Sequence, residues 1–249
     1  MDNITDWALA QFRAACGAEP SPLEGRGGSS VAAEGEGESD GAKATLANAR
    51  SGPSPNLSPQ GERDSTITKD AIFAYCYAVL HDPLYREKYA LNLKREFPRI
   101  PFYPDFARWA AWGEALLALH IDYEQAKPFK FNRIDTPNQH RAEGTHPKPK
   151  LKSDPATGSI QIDEDTQLTG IPAAAWQYRL GNRSAIDWVL DQHKEKTPRD
   201  PTIRAKFNSY RFADYKEACI ALLSRVVTVS LGTVTASEAM KNLDRSNWE

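Results

Sequence analysis

The stretch Trp176-Gln-Tyr-Arg-Leu-Gly-Asn-Arg-Ser-Ala-Ile-Asp-Trp-Val-Leu-Asp191 decides how the chain is read. It reads as two helical pieces broken at Leu180-Gly181-Asn182. Gly181 suits the left-handed position that ends a helix. Ser184, with Asp187 three residues on, has the spacing of a capping box for the next helix. Ile186, Val189 and Leu190 then share one face of that helix. Arg179 and Arg183 flank the break, where a helix start can face an anion. A helix–turn–helix corner whose arginines pair with nearby carboxylates explains the same residues without a ligand.

Working outward, residues 1–16 read as a short helix capped by Thr5 and anchored by Leu9 and Phe12. Residues 17–64 are Gly, Ser, Pro, Ala and Glu with almost no large apolar side chain, so they are expected to be a disordered insert. Residues 65–249 then form the main domain, with residues 1–16 as its first helix. Thr68 caps a helix with Ile72, Cys76, Val79 and Leu80 on its stripe. Pro83 opens a second helix carrying Tyr85, Tyr89 and Leu93, which Phe97-Pro98 stops. Asp105 caps a third with Trp109, Trp112, Leu116 and Leu119. These aromatic stripes are read as core rather than as base-stacking platforms.

Residues 125–170 are rich in Pro, Lys, Asn and Asp. Phe129-Lys-Phe131 and Ser159-Ile-Gln-Ile-Asp163 have strand character, and Asp154-Pro-Ala-Thr-Gly158 is a turn signal. A long helix begins near Phe212, with Ile220, Leu223 and Val227 at helical spacing. The expected class is α+β: mostly helical, with a smaller loop-and-strand region.

With 249 residues, 40% hydrophobic, the chain has enough apolar material for a core. Its formal net charge of −2 gives no bulk attraction to nucleic acid, so any such contact needs a local basic patch. Cys16, Cys76 and Cys219 are widely spaced without a Cys-x-x-Cys pair, which argues for reduced thiols and against a zinc site. No signal-peptide pattern and no uninterrupted apolar run of membrane-spanning length is present, so a cytoplasmic location away from membranes is expected.

Several chemistries lack their motifs. There is no phosphate-binding Gly-x-x-x-x-Gly-Lys-Ser/Thr loop, no Asn-Pro-Pro-Tyr type motif and no Ser/His/Asp set. Asp105 and the Asp214-Tyr215-Lys216 run match a two-metal nuclease pattern only by chance, and Asp163-Glu164-Asp165 reads as an acidic turn rather than a metal site. What remains is binding chemistry. Arg133, Arg141, Lys148, Lys150 and Lys152 crowd one loop-rich region, with Lys194 and Lys196 in a second basic group. Lysines suit phosphate contacts, whereas Asn132, Arg133, Asn138, Gln139 and Arg141 can pair with base edges. A solvated, mobile surface is the alternative for any one of them. Arg179, Asn182 and Arg183 complete the candidate DNA-binding set.

The opening stretch and five further blocks carry a more specific signal. The 176–191 stretch, Asp2–Phe12, Thr68–His81, Pro83–Phe102 and the pair Leu119–Glu124 with Val226–Leu231 occur in the order found in one family. The chain closely resembles the C-terminal specificity domain of type ISP restriction–modification enzymes of the LlaBIII kind. That resemblance implies double-stranded DNA as partner and target recognition as function. It implies no catalysis by this chain, and no cofactor in it. S-adenosylmethionine, ATP and magnesium belong to the nuclease, translocase and adenine methyltransferase modules of such systems. A separately encoded methyltransferase or translocase chain is a possible partner. Two other readings stay open: a protein-interaction module docking on that methyltransferase, and a decayed or split gene. The second notes that Met1 falls at the family's domain edge and that a repeat-like insert follows.

Overall fold

The computed structural model describes residues 3–17, 67–196, 199–207 and 210–246. The expected insert at 17–64 lies, apart from Gly17, outside the described residues. Helix α1 (Asp6–Cys16) starts where the Thr5 hydroxyl accepts from the Ala8 N–H at 3.2 Å. Thr68 caps α2 (Lys69–His81) in the same way, at 3.1 Å from the Ala71 nitrogen. α1 docks on the restarted chain: Arg13 Nε donates to the Ile67 carbonyl at 3.2 Å, and Lys69 pairs with Asp6 at 2.8 Å.

Asp82 ends α2 and caps α3 (Pro83–Lys88), accepting from the Leu84 and Tyr85 N–H groups. α3 is shorter than the expected helix, giving way at Tyr89 to turns and a 3-10 segment over Asn92–Lys94. Two tyrosines draw the following link back onto the helices. Tyr85 donates to the Arg99 carbonyl at 2.9 Å and Tyr75 to that of Pro101 at 2.6 Å. Asp105, in the left-handed region at φ 58°, caps α4 (Phe106–Ile121). α2 and α4 cross at Gly113, where an added Cβ would lie 3.0 Å from Ala74 Cα and closer still to the Ala74 carbonyl.

Four antiparallel strands follow: β1 (Asn132–Asp135), β2 (Pro149–Asp154), β3 (Ser159–Asp163) and β4 (Thr166–Thr169), in the order β1-β4-β3-β2. The 159–163 strand and the 154–158 turn stand as read from sequence; the first strand lies at 132–135, just beyond Phe129-Lys-Phe131. β2 carries an irregularity between Pro149 and Lys152, where Leu151 takes φ 46° and turns its side chain into the core. Lys150 and Lys152 on either side stay exposed.

The opening stretch corrects the sequence reading. Ala173–Trp176 forms a 3-10 turn, and Arg179–Leu180 (β5) pairs antiparallel with Arg183–Ser184 (β6). The break is therefore a β-hairpin, not a joint between two helices. Gly181 has φ +69° at the first position of the two-residue connection, where a type II′ turn places glycine. Tyr178 and Leu180 use the period of two that a helical reading overlooks. Ser184 does cap α5 (Ala185–Gln192), accepting from the Asp187 N–H at 3.0 Å. Ile186, Val189 and Leu190 are buried as their spacing requires. α6 (Pro201–Phe207) was not foreseen, and α7 (Phe212–Lys241) closes the fold.

Two apolar cores result. Sheet, 3-10 turn, α5 and the first half of α7 enclose Ile160, Ile162, Leu168, Ile186, Leu223 and Val227. α1, α2, α3, α4 and the end of α7 enclose Phe12, Tyr75, Val79, Trp109, Leu116 and Met240. Of the aromatic stripes, Trp109 and Tyr85 are buried and Trp112 packs partly buried against the same core, whereas Tyr89 lies exposed over Tyr85, so the expectation of core holds except at Tyr89. α7 is long and apolar enough, by length and composition alone, to cross a bilayer. Here it enters both cores, through Phe212, Cys219, Leu223 and Val227 in one and Met240 in the other, while Leu222 borders an open groove.

Candidate nucleic-acid interface

The basic residues read from sequence separate into three groups. Arg133 and Arg141, candidates for base reading, are engaged with carboxylates. Arg133 lies 2.8 Å from Asp135 and forks onto Glu217 at 2.8 and 2.9 Å. Arg141 forks onto Asp165 at 2.5 and 2.6 Å, with Glu164 at 3.6 Å. The Glu217 carboxylate raises the Arg133 pKa, and Arg141 holds Asp165 below the usual carboxylate range. Such forks fix both guanidinium planes, so either arginine must exchange a carboxylate for a base edge before it can read one.

These pairs surround a feature that sequence reasoning missed. Asp163 is buried at the β3–β4 turn and accepts from the Asp165 and Thr166 N–H groups at 2.9 and 2.8 Å. Lys216 reaches it from α7 at 2.7 Å and also donates to the Thr166 hydroxyl at 2.5 Å. Thr166 passes the chain on to Asp135 at 2.7 Å. Asp163-Glu164-Asp165 is thus a turn, as read, but its first carboxylate is a buried clamp rather than a solvated charge. No local pattern marks it: Asp163 shares its strand face with Ser159 and Gln161, and the cation that its burial requires comes from another element. Among the described residues, no group of three His, Cys, Asp or Glu side chains is placed to hold a metal ion.

Lys148, Lys150 and Lys152 form the second group. They line the edge strand β2 and the residue before it rather than a free loop. Lys150 approaches Glu164 only at 3.8 Å, while Lys148 and Lys152 make no ion pair among the described residues. Three exposed lysines on one edge offer cations at strand spacing. They also discourage a foreign strand from pairing there.

The third group is assembled by the hairpin. Arg179, Asn182, Arg183 and Lys194, with Leu151, Asp187, Leu190 and Asp191, line an open cleft of about 360 Å³. Arg179 donates to the Asn182 carbonyl across the turn. Asp191 accepts from Arg183 at 2.6 Å and from Lys194 at 3.1 Å, and both cations lower its pKa. Asp187 is held by Ser184 at 2.7 Å and by Ser153 of β2, which locks the strand to α5. The helix start itself does not serve an anion in the way expected. The Ala185 N–H donates to the Tyr178 carbonyl at 3.0 Å, the Asp187 N–H to Ser184, and the Asp187 carboxylate already occupies the positive end. Lys196 is exposed and lies outside this cleft.

A model of the Type ISP C-terminal specificity domain matches residues 1–222. The chain belongs to this family. The specificity domain is similar to a DrdV–DNA complex solved by cryo-electron microscopy, at 55% identity and TM-score 0.66, over 70% of this chain and 18% of that one. It is similar to a nuclease-deletion mutant of the Type ISP restriction–modification enzyme LlaGI with a DNA substrate mimic, at 29% identity and TM-score 0.54, over 70% and 14%. It shares its fold with the ATP-dependent Type ISP enzyme LlaBIII bound to DNA, at 21% identity and TM-score 0.54, over 72% and 11%. The chain therefore corresponds to less than a fifth of each of these larger proteins. No curated protein matches it. The family expectation and the α+β class drawn from sequence both hold.

Proposed function

We propose that this specificity domain recognises a target sequence in double-stranded DNA for a type ISP-like restriction–modification system. The observation that carries the reading is its 55% identity to DrdV, a protein solved as a DNA complex. The β2 lysines and the hairpin cleft supply phosphate contacts that set register. Asn182, Arg133 and Arg141 supply side chains able to meet base edges. Methylation, translocation and cleavage, with their S-adenosylmethionine, ATP and magnesium, belong to other modules, and the work is done in the cytoplasm.

The test is binding of the purified chain to duplex DNA across a salt series. Lys148→Ala with Lys150→Ala is expected to weaken binding to all sequences alike and to lower the salt slope by about 1.8, at about 0.9 per phosphate contact. An unchanged slope removes those lysines from the interface.

A second reading, docking on a methyltransferase chain, has its own observation. Tyr123, Tyr178, Leu180, Trp188 and Leu222 line a largely apolar groove of about 290 Å³ in which Trp188 is 47% exposed. Tight association with a methyltransferase partner, abolished by Trp188→Ala and without DNA binding by the chain alone, would favour it.

A further inference from the structure

The β5–β6 hairpin has two basic sides, and only one belongs to the interface described so far. On its other side a cleft of about 660 Å³ opens between α3, the hairpin and the end of α7. Arg86, Arg179 and Lys241 line it, with Glu238 as the one lining carboxylate. Arg86 and Lys241 are exposed and make no ion pair among the described residues. This contrasts with the opposite cleft, where Asp191 takes up both Arg183 and Lys194. Three cations against one carboxylate leave the lining two charges positive, on a chain whose formal net charge is −2.

The walls are held firmly. Tyr178 stacks on His120 with ring centroids 5.3 Å apart and planes 8° from parallel. His120 meets the Tyr77 hydroxyl at 2.7 Å and the Thr233 hydroxyl at 2.8 Å, tying the hairpin base to α2 and α7. His81 faces the cleft; burial foremost lowers its pKa, so it stays uncharged near neutral pH. The floor is apolar, from Leu80, Pro83 and Val234.

Arg179 lines both clefts, so the two basic surfaces are continuous over the hairpin. We propose that Arg86 and Lys241 extend the phosphate-binding surface across the hairpin, so that a nucleic-acid backbone runs from the Arg183 side of the domain onto its helical half. The inference rests on the reading that the chain binds DNA. Its cations sit on separate elements held in place by packing, which suits them to fixed phosphates.

The experiment compares the full chain with Arg86→Gln/Lys241→Gln on a 30-base-pair duplex of random sequence, between about 50 and 200 mM salt. The double variant is expected to lose about sixty-fold in affinity at 0.1 M salt and about 1.8 from the salt slope, which is two phosphate contacts. Arg86→Lys/Lys241→Arg is expected to keep both. If the parent chain binds the duplex and the glutamine variant matches it in slope and affinity, the second cleft is not a backbone site, although the DNA reading stands. If the parent chain binds no duplex at any salt, both fail together. Inorganic phosphate separates the remaining source of the same chemistry. Thermal stabilisation by phosphate at fixed ionic strength, lost in the glutamine variant while duplex binding is unaltered, assigns the cleft to a small phosphorylated ligand and overturns the backbone track.

Discussion

Replacing Gly113 by alanine tests the packing that holds the helical half together. Gly113 lies inside α4, against Ala74 of α2. A methyl group there would sit 3.0 Å from Ala74 Cα and nearer the Ala74 carbonyl. Carbon atoms prefer about 3.8 Å, so the helices must part by at least about 0.8 Å, a gap that forfeits a quarter to a half of the dispersion energy of each contact across it. The obstacle is backbone and cannot rotate away, which places the cost near the upper end of the overpacking range, about 3 kcal/mol. Alanine returns about 1 kcal/mol through helix propensity. The net loss is about 2 kcal/mol, or a melting temperature about 4–8 °C lower for a chain of this size. Gly232→Ala in α7 is the control. There the nearest atom is Leu119 Cδ2 at 2.8 Å, the end of a side chain that can move, so little net change is expected. Urea melts of the three proteins decide the matter. A Gly113→Ala protein as stable as the parent would refute the close helix approach.

Three further perturbations follow from the same geometry. Lys216→Met strands the buried Asp163 carboxylate and is expected to cost about 3 kcal/mol in urea melts, while adding Asp163→Asn to it should recover part of that loss. Arg245 forks onto fully buried Asp82 at 2.7 and 2.9 Å and lies over the Tyr103 and Trp109 rings; Arg245→Met should destabilise by about 3 kcal/mol, and Arg245→Lys should not restore the parent because it cannot fork. His120 is pushed down to about 4 by burial, so the unfolded chain binds this proton first. Its contribution to stability is complete above about pH 6.5 and is lost as pH falls towards 4; His120→Gln should melt with a shallower decline over that window, and an identical decline would remove His120 as its cause.

Caps and apolar stripes were legible from local sequence. Thr5, Thr68, Asp82, Asp105 and Ser184 each sit where a helix begins, because a short polar side chain must satisfy a first-turn N–H. Long-range pairing was not legible. Pro149–Asp154 reads as a lysine-rich loop until Ser159–Asp163 pairs with it, and Leu151 faces inward only through the irregularity in that pairing. The hairpin at 179–184 was hidden because Gly181 serves a helix end and a type II′ turn equally well. Among the candidate contacts, Arg179, Asn182 and Arg183 are neighbours in the chain, and the fold adds Lys194 from the second basic group to their cleft. It could not show that Glu217 and Asp165 take up Arg133 and Arg141, since those pairs span 84 and 24 residues. Arg86 and Lys241 went unremarked for the same reason: nothing local brings residues so distant in the chain to one cleft.

The unbroken course of α7 from Phe212 to Lys241 makes it a ruler. Lys216 near one end grips the sheet, and Lys241 at the other borders the cleft beneath the hairpin. At about 1.5 Å and about 100° per residue, each position along the rod has a set distance and azimuth. One residue added midway would advance the far end by about 1.5 Å and swing it through about 100°, leaving both cores unable to close around the same rod. Drift in loop lengths elsewhere can alter what the domain reads; the spacing between its two halves is written in a single helix and admits no intermediate values.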